Sequence, residues 1–277
     1  MRERDLHIVT VMQTRMGSTR LPGKALIPLA GKPLFVQQAL RMKASSMLQT
    51  IVVATSTEVA DDIIEATCRK EELLCYRGHA TDLLDRHYQV AMQYKADVVI
   101  KIPSDCPLID PHVIDEVVSY YLAHVDDFDF VSNLHPASWP DGNDVEIMSM
   151  AALAKAWREA DKPMEREHTT PYFWEHPNLF RIGNVSMAGG YDYSMRYRFT
   201  IDYIEDYHFI KAVYDALYNR DRPFTVSDII TLLEQRPEIY AINVAFAGVN
   251  WYRNHLDELT TITANQTKKL TNEYDKR

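Results

Sequence analysis

The runs Ile51-Val52-Val53-Ala54 and Val98-Val99-Ile100 are continuous and rich in β-branched residues, with no polar residue at alternate positions. Strands of that kind are covered on both faces, the situation of a parallel sheet clothed by helices rather than of a sheet with one wet face. The surrounding pattern agrees. Leu6 to Met12 reads as a strand, and after Gly31-Lys32-Pro33 the residues Leu34, Val36, Ala39, Leu40 and Met42 recur at near-helical spacing. Ile51 to Ala54 then reads as a strand, Val59 to Arg69 as a helix, Leu74 to Tyr76 as a short strand, Asp82 to Tyr94 as a helix and Asp97 to Ile102 as a strand. Asp110, with Pro111 after it, supplies the N-cap and first-turn chemistry for a helix running to about Leu122. Strand and helix in alternation predict parallel βαβ units, so the first half is a doubly wound α/β sheet.

Beyond residue 125 the alternation loosens. Strands are expected at Phe128 to Ser132 and Asp144 to Met148, with a loop through Pro136, Pro140, Asp141 and Gly142 between them. Helices are expected at Ala151 to Glu159, Ile204 to Tyr218 and Val226 to Gln235, and Arg198 to Ile201 reads as one more strand, ending at Asp202. No linker rich in Gly, Ser or Pro divides the halves, so they form one mixed domain over residues 1–243. Residues 244–277, which include Trp251 and Tyr252, form an extension of unknown role whose last dozen polar residues read as disordered.

Composition narrows the function. A hydrophobic fraction of 46% in 277 residues allows a sizeable core, and a formal charge of -9 argues against a general duplex-DNA binder. Cys68, Cys75 and Cys106 make no Cys-x-x-Cys pair, so neither a disulfide framework nor a structural zinc site is expected. No run of about 18 apolar residues suggests a membrane span, and the first apolar stretch, ending at Met12, is too short for a leader. A cytoplasmic protein with no membrane or nucleic-acid partner is expected.

The most informative segment follows the first strand: Gln13-Thr14-Arg15-Met16-Gly17-Ser18-Thr19-Arg20-Leu21-Pro22-Gly23-Lys24. Arg15, Arg20 and Lys24 bring three positive charges onto a loop whose glycines let backbone amides approach an anion. In an open α/β sheet such a loop lies in the crevice outside the strands' carboxyl ends, where ligands bind. It suits a polyphosphate. It is not a Walker A loop, since five residues separate Gly17 from Gly23 where that motif has four, and Ala25 stands where the metal-binding Ser or Thr belongs.

Two further strand ends carry carboxylates. Asp105 follows the strand ending at Ile102, whereas Asp110 is explained as a helix cap. Asp202 follows Arg198 to Ile201, while Glu205 and Asp206 suit the first turn of a helix as dipole stabilisers. Mg²⁺ takes one or two carboxylates together with phosphate oxygens and water, so Asp105 and Asp202 facing three cations fit a Mg²⁺–nucleoside triphosphate and nucleotidyl transfer.

Six ordered stretches carry a resemblance over about residues 6 to 243. They are Gln13 to Lys24, Asp82 to Tyr88 (Asp-Leu-Leu-Asp-Arg-His-Tyr), Ser104 to Pro111, Pro140 to Glu146 (Pro-Asp-Gly-Asn-Asp-Val-Glu), Glu165 to Tyr172 and Thr200 to Asp206. The sequence resembles the cytidylyltransferases of the spore-coat polysaccharide biosynthesis type, relatives of the acylneuraminate and 3-deoxy-manno-octulosonate cytidylyltransferases. The fold this implies is the nucleotide-diphospho-sugar transferase (GT-A-like, Rossmann-like) fold, a three-layer α/β/α arrangement on a mixed, mostly parallel sheet. It further implies nucleotide binding by Gln13, Arg15, Gly17, Ser18, Arg20 and Lys24, catalysis by Arg20, Lys24, Asp105 and Asp202, and Mg²⁺ held by the two aspartates. Ser104 would lie by the base or ribose, where the family usually has Gly. A Thr-Pro pair is also common where Tyr203 and Ile204 stand.

The remaining matched motifs face a second substrate in this reading. Asp144 and Glu146 alternate about Val145 and share a face, either toward substrate or toward solvent. Arg166, Glu167 and His168 are assigned to the same substrate. Arg86 either reaches the nucleotide or pairs with Asp82 at i, i+4. Tyr191, Tyr193, Tyr197, Phe199, Tyr203 and Tyr207 are assigned to packing. The expected reaction is attack on the α-phosphorus of CTP by a small acidic sugar or sugar phosphate, with loss of pyrophosphate. No protein nucleophile is needed, and no Gly-x-Ser-x-Gly elbow occurs. A glycosyltransferase using a nucleotide sugar and a non-catalytic nucleotide-sugar binder are the alternatives, and a homodimer is compatible with all three.

Overall fold

The protein is described over residues 6–270 by a computed structural model. Its strands are β1 (Ile8–Gln13), β2 (Pro28–Leu29), β3 (Lys32–Pro33), β4 (Thr50–Ser56), β5 (Leu74–Gly78), β6 (Val98–Pro103), β7 (Phe130–Ser132), β8 (Glu146–Ser149) and β9 (Ile182–Asn184). The helices are α1 (Leu34–Met42), α2 (Asp62–Lys70), α3 (Leu83–Gln93), α4 (Pro111–Ala123), α5 (Met150–Glu159), α6 (Pro163–His168), α7 (Pro171–Trp174), α8 (Ile204–Leu217), α9 (Val226–Gln235) and α10 (Pro237–Tyr240).

Seven strands form one sheet in the order β5-β4-β1-β6-β8-β7-β9, and β2 with β3 makes a separate small ribbon. Strands β5, β4, β1 and β6 are parallel, β8 runs antiparallel to β6 and β7, and β9 is parallel to β7. The alternation along β1 places Ile8 and Met12 against Phe35 of α1, Ile64 of α2 and Val117 of α4. Val9 and Val11 turn the other way, toward Leu84 of α3 and Leu153 of α5. Helices therefore cover both faces, which is why these strands tolerate apolar residues at every position. A third apolar cluster joins Phe199 to Phe209 and Ile210 of α8 and Ile229 of α9.

The chain leaves β1 toward β4 and β5 and returns to β6 on β1's other side. The loops after β1 and β6 thus open onto one crevice, the place where such sheets bind ligands. Asp110 caps α4 through the His112 amide at 2.9 Å, and its second oxygen accepts from the Val226 amide at 2.7 Å. One carboxylate so ties α4 to the start of α9.

Several boundaries differ from the sequence reading. The helix expected from Val59 opens as a 3₁₀ turn over Val59–Asp61, where Asp61 turns its carboxylate back to Ser56 and Met16. Strand β8 begins at Glu146, so Asp144 lies in the loop before it. Arg198 to Ile201 is not a strand of the sheet. Its backbone groups are used by loops: the Phe199 amide donates to Asp141 O at 2.7 Å, and the Ile201 amide donates to Asp105 O at 2.9 Å. Of the tail residues read as disordered, 271–277 lie outside the described residues. The others are held, with Thr267 buried and the Lys268 amide donating to Gly248 O at 2.7 Å. Among the described residues no helix is long and apolar enough to cross a membrane.

The crossing of residues 141 and 199 requires glycine next to it. Gly142 has φ +99°, and a Cβ there would lie 2.6 Å from the Phe199 carbonyl carbon and 2.7 Å from the Thr200 nitrogen. Gly142→Ala therefore combines left-handed strain with a backbone clash, and should cost at least ~1–3 kcal/mol. A lowered midpoint in urea unfolding checks this, and an unchanged midpoint would mean that the crossing yields without cost.

Candidate active site

A cavity of about 770 Å³ opens at the carboxyl ends of β1 and β6. The basic loop forms one side of it and is held from behind by Asp61, which accepts from the Met16 amide at 2.8 Å and the Ser56 amide at 3.1 Å. Burial works against the Asp61 charge, but hydrogen bonds from Ser56 and Met16 hold its carboxyl below the ordinary value. At Gly23 the backbone takes φ +71° and enters the 3₁₀ turn Lys24–Leu26. The Lys24 ammonium crosses to the loop after β6 and the segment before α8, donating to Ile201 O at 2.9 Å, Asp202 Oδ1 at 3.1 Å and Asp105 Oδ2 at 3.3 Å.

The two aspartates meet because the backbone brings them together. The Thr200 hydroxyl and the Ile201 amide both donate to Asp105 O at 2.9 Å. Asp202 also pairs with Arg20 at 2.7 Å and with Arg198 at 3.2 Å. Burial opposes its charge, but Lys24, Arg198 and Arg20 prevail and hold the carboxyl well below the usual range. Burial likewise opposes the Lys24 charge, and Asp105 with Asp202 raises it above the ordinary lysine value.

A second acidic group lies beside the first. Asp141 pairs with Arg198 at 3.1 Å, yet burial and the fields of Asp144, Asp202 and Asp105 push its carboxyl up. Asp144 is pushed up to about 7 by burial, then by Asp105 and Glu146. Glu146 is buried and ion-paired with Lys101 of the adjacent strand, and Lys101 also donates to Thr170 Oγ1 at 3.3 Å.

The predicted residues Gln13, Arg15, Gly17, Ser18, Arg20, Lys24, Arg86, Ser104, Asp105, Asp144, Glu146, Glu167, His168 and Asp202 all line this one cavity. Arg166 is not among its lining residues. It donates to Asp82 at 2.5 Å and to Trp157 O at 2.7 Å, joining α6 to the N-cap of α3. Consecutive helical residues project about 100° apart at 3.6 residues per turn, so a motif that brings Glu167 and His168 to the cavity turns Arg166 aside. Arg86 makes no pair with Asp82. Its buried guanidinium donates to His79 O at 2.7 Å and Ala80 O at 3.0 Å, bracing the turn before α3. Burial, with Arg15 nearby, pushes it down to about 10. Gln13 spends its side-chain amide on Leu83 O at 3.1 Å. The His168 ring stacks on Trp251 at 3.8 Å, and burial, with Lys101 adding to it, pushes the imidazole down to about 3, so it is neutral at pH 7.

Three contributors escape the sequence reading: Lys101, Arg198 and the extension. Lys101 is a charge inside the buried run Val98 to Ile102, a signal in itself. Arg198 stands four residues before Asp202 and eight before Asp206, and its Nε donates to Asp206 Oδ1 at 2.9 Å. Residues 248–255 add a wall to the cavity for which the sequence alone offers no motif.

The family described as cytidylyltransferase matches this chain over residues 9–242. The chain belongs to the cytidylyltransferase family. It is accordingly a CTP-dependent nucleotidyltransferase with the nucleotide-diphospho-sugar transferase fold. The spore coat polysaccharide biosynthesis protein SpsF of Bacillus subtilis is 34% identical over 236 residues, covering 83% of this chain and 95% of that protein. A 3-deoxy-manno-octulosonate cytidylyltransferase of Trichlorobacter lovleyi is 34% identical over 119 residues, 43% of this chain and 46% of its own length. The solved structure of a cytidylyltransferase from Leptospira borgpetersenii superimposes with a TM-score of 0.79 at 32% identity, covering 85% of this chain and 97% of that one.

The raised Asp144 carboxyl gives this cytidylyltransferase a pH signature. With a folded value of about 7 against an ordinary 3.8, the native state binds the more protons between those limits. Its stability therefore falls as pH rises through that window. Asp144→Asn, which keeps an acceptor for the Gly142 amide, should match the wild type near pH 4 and become progressively more stable than it up to about pH 7. Urea unfolding of both proteins across pH checks this, and a constant difference would contradict it.

Proposed function

We propose that this cavity transfers CMP from CTP to a small acidic sugar or sugar phosphate, with release of pyrophosphate and dependence on Mg²⁺, in the synthesis of a surface polysaccharide or glycoconjugate. The observation that carries the reading is the convergence of Lys24 with Asp105 and Asp202, carboxylates from two segments distant in sequence. The names of the relatives support the acceptor class, one a polysaccharide biosynthesis protein and one a cytidylyltransferase for a sugar acid.

The donor set suits the metal. Among the described residues no three His, Cys, Asp or Glu side chains are grouped to hold a metal by themselves. Asp105 and Asp202 would hold Mg²⁺ as a pair, the remaining ligands being triphosphate oxygens and water, as this cation prefers. When bound, it supplies charge neutralisation at the reacting phosphate.

The chain's own residues do the rest. Arg15, Arg20, Lys24 and the Ser18 hydroxyl receive the phosphates on a loop already held by Asp61. Fixed cations facing the developing charge act without reorganising, and this is where transition-state stabilisation arises. Phosphoryl chemistry of this kind needs in-line positioning more than a protein nucleophile. Asp144, Glu146, Glu167 and His168 line the part of the cavity left for the acceptor. Arg86 and Arg166 have positioning duties instead, Arg86 bracing the turn before α3 and Arg166 joining α6 to the α3 N-cap.

CTP with Mg²⁺ should raise the melting temperature more than ATP, GTP or UTP, since a ligand of the native state stabilises by mass action. Lys24→Ala should lower kcat/KM by ~2–4 kcal/mol of lost transition-state stabilisation. Equal thermal shifts for the four nucleotides would remove the cytidylyl preference, and undiminished turnover in Lys24→Ala would remove the loop from the chemistry.

A further inference from the structure

The family match ends at residue 242, but the cavity does not. Residues 248–255, with Asn265 and Gln266, continue its lining. This segment is firmly attached. The Val249 carbonyl accepts from buried Arg198 at 2.6 Å, and Asn250 Nδ2 donates to Gln266 O at 2.9 Å. Phe246 stacks on Tyr203 at 4.4 Å, and the Thr260 and Thr261 amides donate to Glu175 at 2.7 and 2.9 Å. A wall anchored to both the candidate metal-binding side and α7 is pre-organised, as a recognition surface needs to be.

The chemistry of this wall differs from that of the basic loop. Trp251 presents a ring stacked on His168, with an interplanar angle of 12°. Tyr252 packs edge-on against Trp174 at 6.1 Å, and Trp174 stacks on His135 at 4.4 Å. All five rings line the cavity. The Trp174 Nε1 donor is buried without a hydrogen-bond partner among the described residues. Burial, then the fields of Glu146, Asp144 and Asp141, pushes the Tyr252 hydroxyl well up, so it remains a protonated donor. Flat apolar rings beside acceptors and donors match a polyhydroxylated ring, whose C–H faces lie on aromatics while its hydroxyls bond to carboxylates.

We infer that residues 244–270 form the acceptor-recognising wall of this enzyme, with Trp251 and Tyr252 as the residues that select the sugar. The inference rests on the transfer reaction proposed above and places the choice of acceptor in a segment outside the family match.

The test is steady-state kinetics on the full-length protein with Mg²⁺, CTP and either 3-deoxy-manno-octulosonate or N-acetylneuraminate as the acceptor probe. Trp251→Ala should raise the acceptor KM at least tenfold while the CTP KM stays within twofold, and Trp251→Phe should recover most of the loss. Tyr252→Phe, which keeps the ring and its packing, should raise the acceptor KM about two- to fivefold and carries the test if Trp251→Ala does not fold. Unchanged acceptor KM values, or parallel losses for CTP and acceptor, overturn the inference while leaving the transfer reaction standing. A wild-type protein that transfers CMP neither to these sugar acids nor to a sugar phosphate overturns the proposed reaction and the inference with it.

Discussion

One buried guanidinium holds the second half of this site together. Arg198, with a side chain 1% exposed, pairs with Asp206, Asp141 and Asp202 and donates to the Val249 carbonyl. It thereby connects the start of α8, the loop before β8, the candidate metal-binding carboxylate and the extension. Burial alone would depress such a charge, and three carboxylates more than offset it. Removing one partner from a buried ion network leaves the others uncompensated, typically at about 3–5 kcal/mol. Asp206, assigned from sequence to the helix dipole, is the deepest of these partners, and it also accepts from the Asp202 and Tyr203 amides at 2.9 and 3.0 Å.

The first half contributes through Lys24. Its ammonium and the Arg20 guanidinium are engaged by Asp202, so cations and carboxylates hold one another in the cavity. A metal–triphosphate brings both signs of charge. In the proposed reaction the loop cations would face the phosphates and the two aspartates would hold the metal. The mutual pairing explains how charges of both signs share one cavity. It also distinguishes Asp105 and Asp202, which have cationic partners to exchange, from Asp144, whose carboxyl is pushed up among other acids.

The sheet was legible in sequence because its strands are covered on both sides, and buried parallel strands leave continuous apolar runs. The α4 and α9 boundaries followed from the cap at Asp110 and from the helical period starting at Val226. The Arg198 to Ile201 segment misled because alternating polar and apolar residues mark an extended chain whether its hydrogen bonds run to a strand or to loops. Here they run to Asp141 and Asp105. The basic loop and both aspartates were readable as groups just beyond predicted strand ends. Arg166 was misplaced because a matched motif specifies residues but not which side of a one-turn helix each occupies. The extension was unreadable for a different reason: its Trp251 and Tyr252 are positioned by ring contacts with each other and with His168, Trp174 and His135, which leave no period in the sequence.

The central claim is that the group transferred is the nucleoside monophosphate, and labelled CTP tests it most directly. The wild-type enzyme would be incubated with Mg²⁺, 3-deoxy-manno-octulosonate and CTP carrying ³²P at either the α or the γ position, and the products separated. α-Label should appear in a CMP–sugar conjugate, while γ-label should appear only in pyrophosphate. Label from the γ position on the sugar would contradict it, because the protein would then be moving the terminal phosphoryl group instead.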